Sequence, residues 1–174
     1  ISATGSTLMG KAVAATVGAR LGKTILELGG NNAIIISQHA DINIAVIGAV
    51  FGAVGTAGQR CTTTRRLIIH KKIYNDFKNK LVQAYKQIRI GNPLNQKNHV
   101  GPLIDKSAVA AYLKAIEQCK KQGGKFIVEG GLLKGKGYES SCYVKPCIAE
   151  VKPGMAIVQH ETFAPILYIM QYDT

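Results

Sequence analysis

The sequence has no tryptophan and few carboxylates, with 10 Asp and Glu against 22 Lys and Arg among 174 residues. The resulting net charge of +12 raises the question of nucleic-acid binding. The lysines are scattered over presumed helix surfaces and loops, without the interleaved aromatic and basic residues that single-strand binders use. We therefore interpret the charge as a solvated surface and expect no nucleic-acid partner.

Cysteine is also scarce, and its four positions form no C-x-x-C pair: Cys61, Cys119, Cys142 and Cys147. No histidine lies at ligand spacing from a cysteine pair, so we predict no metal site. An apolar content of 47% can build a core without disulfides, which favours a reducing compartment. We expect the cytoplasm, with the mitochondrion as the alternative. No apolar run reaches transmembrane length, so we expect no membrane partner.

Helical and strand patterns alternate along the chain, which predicts an α/β fold with a largely parallel sheet. Helices are predicted after Ser6, which acts as N-cap, and after Asp41 and Asp105. A further amphipathic helix is expected over residues 73–89. The predicted strands cover residues 24–27, 32–37, 62–69, 125–129 and 143–151. Pro146 interrupts the last of these strands, which indicates either an edge strand or a bend.

The segment Gly58-Gln59-Arg60-Cys61 places one cysteine between a glycine-rich approach and a β-branched run. Gly52, Gly55 and Gly58 allow a close backbone approach and a tight turn. Three arginines, at positions 60, 65 and 66, neighbour the thiol, and positive neighbours favour the thiolate that acts as nucleophile. The alternative is a buried structural cysteine, because Cys is among the most buried residue types.

A second segment, Glu27-Leu28-Gly29-Gly30, places one carboxylate at the end of an apolar strand. A thiol that attacks a carbonyl carbon needs a base that later activates water, and Glu27 is the candidate. The two glycines predict a bend where the chain crosses between domains. The alternative for Glu27 is a surface carboxylate at a strand end.

The motifs ELGGNNAI, GQRCTTTRR and HETFAPILY stand in this order and resemble the aldehyde dehydrogenase superfamily over nearly the whole chain. Within it they are most similar to the antiquitin-type group, the α-aminoadipic semialdehyde dehydrogenases. Ala164 replaces a glycine that most of the superfamily carries, and the antiquitin-type group shares this alanine. Family members are far longer, and the chain begins at Ile1 rather than methionine, so we expect a fragment of a longer protein.

The resemblance implies an aldehyde dehydrogenase-like catalytic domain over residues 29–174, C-terminally incomplete. Residues 1–28 would be the last part of the dinucleotide-binding domain. It also implies that Cys61 is the nucleophile, that Glu27 is the general base and that the cofactor is NAD. The cofactor contacts implied by the resemblance are Gly5 and Ser6 at the pyrophosphate, Leu28, Glu161 at the nicotinamide ribose, and Phe163 beside the ring. Ser6 could instead be an ordinary helix cap and Glu161 a buried acid.

The implied reaction is NAD-dependent oxidation of an aldehyde, such as α-aminoadipic semialdehyde, through a cysteine thiohemiacetal and thioester. By the same resemblance Arg60 binds the carboxylate of an acidic substrate, with a salt bridge inside the protein as the alternative. A role in lysine catabolism and a homotetramer of the parent chain are also implied. The alternative functions are an inactive fragment, an interaction module or nucleic-acid binding. We expect residues 1–174 alone to bind NAD poorly and to turn over no aldehyde.

Overall fold

The computed structural model describes residues 1–173, which form two compact units, Ile1–Gly30 and a second that begins at Asn31. The first unit contains strand β1 (Ser2–Thr4), helix α1 (Thr7–Gly18) and strand β2 (Ile25–Glu27). The two strands, which α1 connects in the chain, pair in parallel with Thr4 opposite Glu27. Helix α1 begins where predicted, because the Ser6 side chain accepts a hydrogen bond from the Met9 N–H at 3.1 Å.

The second unit has ten regular elements, in chain order β3 (Asn32–Ile36), α2 (Ile42–Val54), β4 (Thr64–His70), α3 (Tyr74–Lys86), α4 (Lys106–Lys121), β5 (Lys125–Val128), β6 (Gly131–Leu132), β7 (Val144–Lys145), β8 (Cys147–Glu150) and β9 (Ile166–Tyr172). Five strands form one sheet in the order β3-β4-β9-β8-β5. Only the β5–β8 pair in this sheet is antiparallel. The predicted α/β fold with a largely parallel sheet is therefore confirmed. Strands β6 and β7 form a separate antiparallel pair.

The core of this unit lies on the central strands β4 and β9, whose apolar side chains Leu67, Ile69, Leu167 and Ile169 are fully buried. A parallel sheet covered on both faces needs near-continuous apolar strands, which is what these segments supply. Each such side chain stabilises the fold by about 1.5–3 kcal/mol relative to an exposed one. The core fixes β4, and with it the turn that immediately precedes β4.

The helix starts predicted at Asp41 and Asp105 are confirmed. The Asp41 carboxylate accepts hydrogen bonds from the N–H groups of Asn43 and Ile44, and Asp105 accepts one from Ala108.

None of the four α-helices in residues 1–173 combines the length and the apolar character that a bilayer crossing needs.

The structure differs from the sequence-based prediction at several element boundaries. The sequence patterns predict neither strand β1 nor strand β6. Strand β4 begins at Thr64 rather than at residue 62, because Cys61 and Thr62 form a turn. Helix α3 ends at Lys86 rather than at residue 89. Pro146 separates β7 from β8, which belong to different sheets. The predicted single strand is therefore interrupted at Pro146, with β7 at an edge of the two-stranded sheet and β8 inside the five-stranded one.

Candidate active site

A strained turn carries the chain from helix α2 to the thiol. Residues Gly55–Gly58 form one 3₁₀ turn in which Thr56 and Ala57 have φ of 53° and Gly58 has φ of 70°. Left-handed backbone costs a residue other than glycine roughly 1–2 kcal/mol. Such conformations persist only where their surroundings fix them, and they cluster at functional sites.

The turn is fixed by close packing of Gly58 against the backbone of residues 164–165. A Cβ at this position would lie 2.5 Å from the carbonyl carbon of Ala164 and 2.6 Å from the Pro165 nitrogen. The close backbone approach predicted for the glycine-rich segment therefore occurs at Gly58, against the segment that precedes β9. A side chain at position 58 would push apart the thiol-bearing loop and residues 164–165.

Four hydrogen bonds hold the turn that contains Cys61. The Asn32 side-chain amide donates to the Cys61 carbonyl at 2.6 Å and to the Thr63 carbonyl at 3.0 Å. The Arg60 N–H donates to Thr63 Oγ1 at 3.1 Å, and the Thr63 N–H donates back to the Arg60 carbonyl at 3.1 Å. The thiol itself is free and exposed. The alternative of a buried structural cysteine is thus wrong for Cys61.

The other thiols differ from Cys61 in their surroundings. Cys119 and Cys147 are buried and free, and burial raises the pKa of both, that of Cys147 to about 12. Because the thiolate is the reactive form, these two residues are poor nucleophiles. Cys119 is a packed core thiol.

Arg65 connects the thiol-bearing loop to the segment that contains Glu161. It is 2% exposed at the start of β4, and its Nη1 donates to the carbonyls of Gly58 at 3.3 Å and Thr162 at 2.7 Å. Its Nη2 donates to the Arg60 carbonyl at 3.1 Å and to Glu161 Oε1 at 3.1 Å. Burial lowers the pKa of Arg65, and the Glu161 carboxylate opposes that change.

The two predicted cofactor contacts of the second unit lie beside this arginine. The Glu161 side chain is 23% exposed, so this acid is partly buried. The Phe163 ring is 46% exposed, and its centroid lies 5.3 Å from the Arg65 guanidinium carbon. The Phe163 ring therefore has a face available to a ligand.

Arg60 is exposed and lies at the wall of a groove of about 580 Å³ that Phe51, Val54, Gly55, Thr56 and His99 also line. Its Nε donates to Thr56 Oγ1 at 2.8 Å, and its guanidinium carbon lies 5.5 Å from the Phe51 ring centroid. Within residues 31–173 it forms no salt bridge, and its two terminal nitrogens have no hydrogen-bond partner. The alternative of an internal salt bridge finds no carboxylate in this unit.

The remaining predicted site residues belong to the first unit. The Gly5 N–H donates to the Glu27 carbonyl at 3.0 Å, which brings the turn before α1 to the end of β2. Glu27 is exposed, and so are Gly5 and Ser6. The Leu28 side chain packs against Gly10 of α1.

Asn32 and Thr63 are site residues that the sequence does not predict, and Arg65 is predicted only as a positive charge near the thiol. The available signals were the Asn-Asn pair after ELGG and the first arginine after the thiol.

Within residues 1–173, no group of three or more His, Cys, Asp or Glu side chains could hold a metal ion.

Comparison with known proteins identifies the class. A model of the "Aldehyde dehydrogenase family" matches residues 1–174, and the chain belongs to this family. Its curated relatives include "Aldehyde dehydrogenase family 7 member A1" of Pisum sativum, 47% identical over 172 residues that cover 99% of this chain and 33% of the relative. "Alpha-aminoadipic semialdehyde dehydrogenase" of Mus musculus is 48% identical over 177 residues, covering 99% of this chain and 32% of the relative. The chain thus spans about a third of the length of these relatives.

Solved structures show the same fold. Betaine aldehyde dehydrogenase from Staphylococcus aureus, in complex with NAD+, matches with a TM-score of 0.96 and 27% identity. The match covers 99% of this chain and 35% of that one.

Proposed function

We propose that the protein oxidises an aldehyde to a carboxylic acid with NAD, and that Cys61 is the nucleophile. The observation that carries this proposal is the exposed thiol of Cys61 in a turn held by Asn32 and Thr63. A nucleophile must present its reactive atom without being free to move, because orientation contributes strongly to rate. Family membership supplies the reaction class.

In the proposed reaction, the Cys61 thiolate attacks the aldehyde carbonyl carbon and forms a C–S bond. The carbonyl oxygen becomes the oxyanion of a thiohemiacetal, and the Cys61 N–H is one donor to it. NAD, when bound, supplies the hydride acceptor. Loss of hydride from the thiohemiacetal carbon leaves a thioester on Cys61. Glu27 takes a proton from water, the water oxygen displaces the sulfur, and the carboxylic acid and free thiol result.

The residues present are compatible with NAD. The first turn of α1 is exposed from Gly5 to Leu8 and contains no acidic side chain, so its N–H groups suit a pyrophosphate. A carboxylate such as Glu161 suits ribose hydroxyls, and the exposed Phe163 ring suits the flat nicotinamide. Leu28 packs against Gly10 of α1. The assignment of residues 1–28 to a dinucleotide-binding domain, and of residues 29–174 to the catalytic domain, belongs to the same proposal.

For the substrate we propose an acidic semialdehyde such as α-aminoadipic semialdehyde. Arg60 has two unpaired terminal nitrogens within its unit and directly precedes the nucleophile. A guanidinium can bind a carboxylate through two parallel hydrogen bonds. The aliphatic part of such a substrate would lie along Phe51 and Val54 of the groove. A homotetramer, a part in lysine catabolism and a cytoplasmic or mitochondrial location stay predictions from the family resemblance.

The test is NADH formation by the full-length protein with α-aminoadipic semialdehyde. We expect Cys61→Ala to abolish turnover. Cys142→Ala is the matched control, because Cys142 is a free, partly exposed thiol outside the site, and it should retain wild-type activity. Equal losses in both variants, or NADH formation by Cys61→Ala, would contradict the proposal.

A further inference from the structure

Burial of the Arg65 guanidinium is energetically unfavourable. A cation loses its hydration inside a protein, and a buried ion pair rarely stabilises a fold more than apolar residues of similar volume would. Here the cost is increased, since Arg65 Nε has no hydrogen-bond partner among residues 1–173. Stability alone does not account for a guanidinium at this position.

The partners of Arg65 belong to two segments that lie far apart in the chain. Gly58 and Arg60 precede the nucleophile, whereas Glu161 and Thr162 stand 96 and 97 positions from Arg65. Each terminal nitrogen donates once to each segment. A planar guanidinium with fixed donor directions therefore sets the spacing and the angle between the two segments, which a lysine ammonium cannot do.

The hydrogen bond to the Arg60 carbonyl has a consequence for Cys61. No peptide bond is cis among the described residues, and in a trans peptide the C=O and the following N–H point in opposite directions. The Arg60 carbonyl points to Arg65 Nη2 and also accepts from the Thr63 N–H. The Cys61 N–H must then point away from the guanidinium. Among residues 1–173 this N–H has no hydrogen-bond partner, so it is oriented and available.

The same guanidinium orders the other segment. It holds Glu161 Oε1 at 3.1 Å and lies over the Phe163 ring at 5.3 Å. An aromatic ring on the surface of a loop, such as that of Phe163, would otherwise sample several rotamers. One buried side chain thus contacts both the peptide that carries the donor beside the thiol and the two side chains on the neighbouring segment.

We propose that Arg65 is a positioning residue that aligns the Cys61 N–H with the segment bearing Glu161 and Phe163. This inference rests on the proposed function, in which that N–H stabilises the oxyanion. Arg65 itself touches neither substrate nor cofactor. Its replacement should impair the step that develops an oxyanion and spare thiol chemistry that develops none.

The first experiment compares Arg65→Lys with wild type in the full-length protein, because lysine keeps the positive charge near the thiol. Removing an oxyanion donor lowers kcat roughly 10²–10³-fold, and a misaligned donor should lower it about 10- to 100-fold. Alkylation of Cys61 by iodoacetamide forms no oxyanion and should keep its wild-type rate. Lys78→Met is the control, since it removes a partly buried ion pair with Glu150 at 2.9 Å and should leave both rates unchanged.

The second readout needs no activity. Hydrogen exchange followed by mass spectrometry should show faster exchange in both peptides, residues 58–62 and residues 160–164, for Arg65→Lys. The Lys78→Met control should show neither change. Arg65→Gln serves as a second variant, and circular dichroism checks that each variant is folded.

The outcomes separate the two proposals. Parallel losses of turnover and alkylation, no loss of either, or unchanged exchange in the two peptides would overturn the positioning role. Loss of the folded state in both Arg65 variants would assign the residue to stability and also overturn it. If wild type oxidises no aldehyde, the proposed function fails, and the exchange experiment still decides whether Arg65 couples the two segments.

Discussion

The replacement of Gly58 by alanine is the sharpest structural test of the loop that carries the thiol. Gly58 has φ of 70°, and a Cβ there would lie 2.5 Å from the Ala164 carbonyl carbon and 2.6 Å from its oxygen. Both contacts are with backbone, which cannot rotate away as a flexible side chain would. The variant must therefore either shift residues 164–165 or move the turn before Cys61.

Three effects determine how much the free energy of unfolding changes in Gly58→Ala. Left-handed backbone costs alanine about 1–2 kcal/mol. The loss of glycine's freedom in the unfolded chain returns about 0.4–1 kcal/mol. Forcing one extra carbon into packed surroundings costs about 1–3 kcal/mol. We expect the free energy of unfolding to fall by about 3 kcal/mol in Gly58→Ala, within the range of these three principles.

The assay is equilibrium unfolding in urea, with Gly48→Ala as the matched control. Gly48 lies in the interior of α2, is exposed, and a Cβ there would meet nothing within 4 Å. That variant should be more stable than wild type by about 0.5–1 kcal/mol, because alanine favours the helix. A loss below about 0.5 kcal/mol in Gly58→Ala, within the scatter of neutral surface substitutions, would refute the packing described for this loop.

Three further predictions concern other groups. Asn32→Ala removes two hydrogen bonds to the Cys61 turn and should lower both kcat and the unfolding free energy, the latter by about 1–2 kcal/mol; unchanged kcat would contradict its role in holding the turn. Arg60→Lys should lose much of the preference for α-aminoadipic semialdehyde over uncharged aldehydes, measured as a ratio of kcat/KM values, and a retained ratio would refute carboxylate binding. The hydrogen bond from the Ala108 N–H holds the pKa of Asp105 below its ordinary value, so its stabilising effect is present above the unfolded-state pKa and is lost as pH falls through the folded-state pKa. Unfolding curves measured from neutral to acid pH should show that Asp105→Ala is less stable than wild type near neutral pH and that the difference vanishes in acid.

Much of the fold could be read from the sequence because its signals are local. The side-chain caps Ser6, Asp41 and Asp105 mark helix starts in the sequence and in the structure alike. The strands β3, β4, β5 and β8 of the five-stranded sheet are equally plain. Strand β1 has three residues and owes its existence to pairing with β2, so no local pattern reveals it. The left-handed Thr56 and Ala57 run against the ordinary preference of those residues, and tertiary packing imposes them.

In the candidate site, too, some features have local signals in the sequence and others depend on contacts between distant segments. The position of Cys61 between glycines and a strand is a local signal, and its exposure in the structure agrees with the reactive role proposed for it. The contact of Asn32 with Cys61 spans 29 positions, and that of Arg65 with Glu161 spans 96. Contacts over such distances depend on strand order and register, which one sequence does not disclose. Arg65 is visible in the sequence as a charge, whereas its contacts with the two segments depend on the fold.

The most direct measurement of the central claim is the mass of the Cys61 peptide after a single turnover of the full-length Glu27→Gln variant. With its water-activating base removed, the variant should form one NADH per active site and then retain the acyl group of the substrate on Cys61. Wild type should release the acid and show no adduct. NADH formation without acylation of Cys61, or acylation of another cysteine in its place, would contradict the mechanism proposed for this chain.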